Sequence, residues 1–180
     1  MLIAPPGFAS IAAMFFRKPE SSASPPSGGG QLAAVVREHM PEDDEATREL
    51  VAAVAGLLVC VAYADRSFSE HEQAHVREVL ARVAGLTEPG AGAIFAVLQR
   101  QGALIAVGNM HVYTRHLREH GELELRREVL EALIDLAASD GAISLTESDL
   151  LRRTASSLGL TQDDYLRAQN KHRDRLSVLK

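Results

Sequence analysis

Residues 50–64 read LVAAVAGLLVCVAYA, fifteen apolar positions closed off by Glu49 on one side and Asp65 on the other. A run of this length is too long for an ordinary strand, and too short and too closely flanked by charge for a bilayer span, which needs about twenty residues. It predicts a buried central helix over 43–64, with the acidic residues Asp43, Asp44 and Glu45 in its first turn, where the helix dipole favours them. Further helices are expected at about 70–84, 88–107, 110–119, 123–139, 145–158 and 162–176. Gly85, Pro89-Gly90, Gly108-Asn109, Gly121, Gly141 and Gly159 punctuate them. No strand or hairpin signal interrupts the series. Short connections between helices imply an all-α protein, a compact helical bundle.

Composition points the same way. The 180 residues are 46% apolar and 24% charged, without Trp and with 4% aromatics, which suits one soluble helical domain. Nineteen basic against 24 acidic residues leave a net charge of -5, the wrong balance for gripping a phosphate backbone, so no nucleic-acid partner is expected. The single cysteine, Cys60, cannot form an internal disulfide, and the cytoplasm is the expected address.

The chain divides into three parts. Residues 1–18 are apolar and end in Arg17-Lys18. A signal peptide carries its positive charge first, so the order is reversed for secretion; contact of residues 8–18 with a membrane surface remains open. Met14 offers a second start. Residues 19–31, PESSASPPSGGGQ, have the composition of a flexible linker. The folded domain is expected over 32–180.

Within that domain, a shift of 75 residues lays Glu49–Val83 on Glu124–Leu158 without a gap. Nine of thirty-five positions are identical, against roughly two or three expected from composition. Leu50, Val54, Leu58 and Ala62 step by four, as do Leu125, Val129, Leu133 and Ala137, so each copy carries the same buried stripe. Asp65 and Asp140 then end the first helix of each copy. Phe68 and Ile143 follow as plugs for the bundle. Ser69-x-x-Glu72 and Ser144-x-x-Glu147 are capping boxes for the next helix. Two related helix-loop-helix units docked about a pseudo-two-fold axis are the predicted core.

A carboxylate at a helix C-terminus lies against the negative end of the dipole, a placement costing about 0.3–1 kcal/mol unless compensated. The loop can compensate through Asx-type bonds, or Arg77 and Arg152 through ion pairs. A cation is the other candidate. Neither loop is a self-sufficient EF-hand: Val61 and Tyr63, or Leu136 and Ala138, occupy its first and third ligand positions. A shared site remains, in which Asp65 and Glu72 converge with Asp140 and Glu147 on a divalent ion such as calcium or magnesium.

Other chemistry fares less well. His71-Glu-Gln-Ala-His75 spells H-E-x-x-H, but Glu72 belongs to a capping box, the second copy has Thr146 and Leu150 in place of the histidines, and Glu78 stands where a metalloprotease extension needs Gly. His71 and His75 are expected as exposed first-turn residues, Cys60 as a buried inert thiol, and His111, Tyr113, His116 and His120 as a solvated helix face.

The phrase Val61-Ala-Tyr-Ala-Asp-Arg-Ser-Phe-Ser-Glu-His-Glu72 and its echo Leu136-Ala-Ala-Ser-Asp-Gly-Ala-Ile-Ser-Leu-Thr-Glu147 resemble the A-x-A-D-G-x-[IF]-S-x-x-E signature of the TerB-like tellurite-resistance domain. The resemblance spans Leu50 to Arg173 and includes Tyr113-Thr-Arg, the run Leu151–Leu160 and Asp164-Tyr-Leu-Arg-Ala. It implies an all-α bundle of two related units, bacterial and cytoplasmic or membrane-peripheral, associated with tellurite or general stress response. It also implies that Asp65, Glu72, Asp140 and Glu147 match acidic residues proposed to chelate metal. Arg66 departs from the signature, which has Gly there. The function expected is non-enzymatic: a metal-binding or stress-response domain with an unidentified protein partner, or a protein-protein scaffold without an ion.

Overall fold

The computed structural model describes residues 30–64, 68–83, 85–107 and 109–172. The apolar segment 1–18, most of the linker, Asp65 and Arg66 lie outside the described residues. Eight helices are found among those described: α1 Gly30–His39, α2 Glu45–Ala62, α3 Glu70–Ala81, α4 Glu88–Ala106, α5 Met110–His120, α6 Leu123–Ala137, α7 Leu145–Ser157 and α8 Gln162–Asn170. There is no strand among them, as the sequence leads one to expect.

Helix starts follow the side chains that can satisfy their first N–H groups. Asp44 accepts from Thr47 N at 2.8 Å, Thr87 from Gly90 N at 3.3 Å and Thr161 from Asp164 N at 3.2 Å. The ends are set by glycine where the chain must turn left-handed: Gly85 has φ 78° and Gly159 φ 71°. Helix α1 takes in Gly30 and Gln31, the last two residues of the expected linker, and buries Leu32 and Val36.

Helix α2 is the axis. Every residue from Leu50 to Ala62 is buried, because α1, α4, α5 and α6 pack around it and α3 and α7 close its C-terminal end. An all-round apolar helix has no other stable place in water. The close packing needs small residues. A Cβ on Gly56 would lie 2.4 Å from Tyr113 Cζ of α5, and one on Gly102 of α4 would lie 2.4 Å from Tyr63 Cε2. Helix α6, the second axis, packs on α2, α3, α7 and α8. Its stripe Leu125, Val129, Leu133 and Ala137 is buried throughout. The plugs sit as expected. Ile143 is 1% exposed, and the Phe68 ring lies 5.6 Å from Tyr63 and 6.1 Å from Phe95, centroid to centroid.

Candidate functional site

The two helix junctions carry most of the acidic residues that the sequence singles out. At the first, the backbone of α2 closes with Tyr63 N donating to Val59 O and Ala64 N to Val61 O, both at 3.0 Å. After the turn, Ser69 Oγ accepts from Glu72 N at 3.2 Å while Ser69 N donates to Glu72 Oε2 at 2.7 Å. At the second, Ser139 N donates to Leu136 O at 3.0 Å and Gly141 N to Ala138 O at 3.3 Å. Ser144 and Glu147 then repeat the box at the same two distances, 3.2 and 2.7 Å. Both capping boxes are therefore formed. Glu72 is buried and Glu147 half-buried, whereas Asp140 is exposed, directly before Gly141 with φ 140°.

The junctions border one space. A cavity of about 440 Å³ is lined by Tyr63 and Ala64 at the end of α2 and by Thr146 in the first turn of α7. Ala64 directly precedes Asp65, and Thr146 directly precedes Glu147. Among the described residues, no group of three or more His, Cys, Asp or Glu side chains is gathered to hold a metal ion. Asp65, one member of the expected set, is outside them.

The H-E-x-x-H residues do not converge. His71 is exposed, Glu72 belongs to the cap, and His75 is half-buried with Nε2 3.3 Å from the Ala132 carbonyl of α6. His75 thus differs from the exposed position expected for it, because α3 lays that face on α6. Arg77 stands over the Phe95 ring at 4.1 Å, and Arg152 pairs with Asp149 one turn away. Cys60 is buried as expected. Burial pushes its thiol up to about 12, which removes the thiolate a nucleophile needs.

The solvated face expected for the His111–His120 segment is a correction. His111 is exposed, but Tyr113 is wholly buried and His116 is 7% exposed. His116 Nε2 lies 3.8 Å from Glu49 Oε2 of α2, without a hydrogen-bond partner, and its ring packs 4.6 Å from that of His120. Burial is the main cause that holds His116 below the ordinary imidazole value and Glu49 above the ordinary carboxylate value, so each is pushed toward neutrality. The signal was present in the sequence: Tyr113 and Leu117 are four apart, and His116 flanks that stripe.

Against this geometry, the family model described as "Tellurite resistance protein TerB" matches residues 51–170. The chain belongs to the TerB family. The match begins inside the central helix α2 and ends at the last residue of α8, so it covers both junctions and the helices that carry them. TerB domains are generally non-catalytic and related to tellurite resistance. No curated protein and no solved structure matches the chain. No single described helix of this TerB chain is long and apolar enough to cross a membrane.

Proposed function

We propose that this TerB domain is a non-enzymatic, metal-responsive module of a stress response, and that a divalent cation, calcium or magnesium, is held between its two junctions by Asp65, Glu72, Asp140 and Glu147. The observation that carries the reading is the shared cavity, which has Ala64 on one wall and Thr146 on another. The two capping boxes support it further, because they fix Glu72 and Glu147 in the same local geometry on two helices. The Glu147 carboxylate accepts the Ser144 backbone N–H and can still meet a cation, since two carboxylate oxygens offer about four lone-pair sites. The doubled sequence gives this arrangement an origin: two copies of one acidic junction, turned toward each other.

Titration of the metal-free full-length chain with calcium and with magnesium, followed by heat release, tests the proposal. Saturable binding that disappears in the Asp65→Asn plus Asp140→Asn variant supports it; no binding of either ion by the unaltered chain overturns it. The alternative is a scaffold without an ion, recognised by a protein partner. The observation favouring it is that both Glu carboxylates already serve their own helix N-termini. Under that reading the double variant binds its partner as before and melts without any response to metal.

A further inference from the structure

The cavity extends well beyond the junctions. Three helices each contribute one stripe to it: Cys60 and Tyr63 from α2, Ala103 and Ala106 from α4, and Leu150 and Arg153 from α7. The two members of each pair are three residues apart, which puts them on a single helix face. The volume, about 440 Å³, falls in the range of about 300–1,000 Å³ typical of small-molecule sites, which are apolar with a few placed polar groups. Val107, itself part of the lining, and Leu104 near the end of α4 are both 76% exposed and give the trough an apolar rim.

Charge selects the occupant. Among the described residues lining the cavity, Arg153 alone carries a charge, in a chain whose net charge is -5. The carboxylates near it on α7 are engaged elsewhere: Asp149 with Arg152, and Glu147 with the Ser144 backbone. Arg153 Nε donates to the Asp149 carbonyl at 3.2 Å. A guanidinium has five N–H donors, so this bond leaves donors to meet a carboxylate in the two-pronged geometry that Arg favours. Arg153 stands seven residues from Thr146, about 10 Å along the helix, so the cationic end of the trough is separate from its junction end.

We propose that the trough between α2, α4 and α7 binds a free, single-chain acyl amphiphile, with its hydrocarbon along Cys60, Ala103, Ala106 and Leu150 and its carboxylate on Arg153. This site shares its cavity with the cation proposed above, but it uses none of the four carboxylates and places its charged group at the other end of the trough.

Dodecanoate is the probe, used below its micelle-forming concentration on the full-length chain, with dodecanol and dodecyltrimethylammonium as uncharged and cationic counterparts. The readout is heat of binding. The expected result is saturable dodecanoate binding, with much weaker binding of the cationic counterpart. Arg153→Gln should weaken dodecanoate at least tenfold and leave dodecanol unchanged. Ala103→Phe, at an exposed position on the wall, should abolish both by filling the trough. The proposal is overturned by absence of saturable binding, by binding that survives Ala103→Phe, by equal affinity for all three head groups, or by attachment to anionic phospholipid vesicles in place of dodecanoate binding.

Discussion

Single residues decide how closely the helices meet. Gly56 lies where α2 crosses α5, and a methyl group there would penetrate the Tyr113 ring. Tyr113 is wholly buried and cannot swing aside without opening the core. Gly56→Ala should therefore destabilise by about 1–3 kcal/mol through overpacking. Gly92, in the exposed interior of α4 with nothing within 4 Å of its Cβ position, is the control: Gly92→Ala should gain about 0.5–1 kcal/mol from helix propensity. Urea unfolding of both variants measures the contrast. His116 has a pH signature of its own. Burial and the nearby His120 lower its proton affinity in the folded chain, so the unfolded chain protonates first as pH drops through 6.5, the ordinary value, and stability falls in that direction. Glu49 acts over a lower window with the opposite sign. Burial raises it from 4.5, so its contribution is lost as pH rises above that value. His116→Gln should flatten the fall of the urea midpoint between pH 7.5 and 6.

At the scale of the element, caps make the helix boundaries sharp. Ser69→Ala and Ser144→Ala should each cost about 1 kcal/mol, the usual loss for an N-cap oxygen. Asp164 at the start of α8 combines a cap with an ion pair. It accepts from Thr161 N at 2.9 Å, Thr161 Oγ at 2.7 Å and Arg127 Nε at 2.8 Å. Its carboxyl is lowered to about 2, chiefly by Thr161 and then by Arg127. Asp164→Ala should cost about 2 kcal/mol at neutral pH, in the range for hydrogen bonds to a charged group. The cost should shrink as pH drops below 3.8, the ordinary value, because the unaltered chain then loses its advantage; circular dichroism melts across that interval check it. These boundaries are also where the sequence was most legible. A cap and a four-residue stripe are local features, and seven helices lie within a few residues of their expected spans. Helix α1 is the exception, a helix for which no span was expected: Gly30 and Gln31 carry no capping or apolar signal, and burial of Leu32 and Val36 against α2 and α4 holds it in place. The packing of His116 on Glu49 was less legible because it depends on which face α5 turns to α2. One helix read alone leaves that open.

At the scale of the whole molecule, the question is whether the two junctions act together. Each is built by local signals, but α2 and α7 bring the residues beside them, Ala64 and Thr146, onto one cavity. No stretch of sequence shorter than the repeat could place them so; the matched stripes of α2 and α6 made it arguable, and the packing of α2 on α6 and α7 supplies the route. A shared ion and two separate weak ones differ in a measurable way. If one cation joins both loops, Asp65→Asn and Asp140→Asn each break the same coordination shell, and the second substitution removes little that the first has left. The losses are then strongly non-additive, as for residues in one network. If each loop holds its own ion, the losses add. Calcium at a hundredfold excess over its dissociation constant should stabilise the unaltered chain by about 2.7 kcal/mol, read as a rise in melting temperature. In the shared case either single variant should lose most of that rise, and the double variant should melt no lower in calcium than the worse single. A rise halved by each substitution and abolished only by both would refute cooperation between the junctions, whatever the affinity of either.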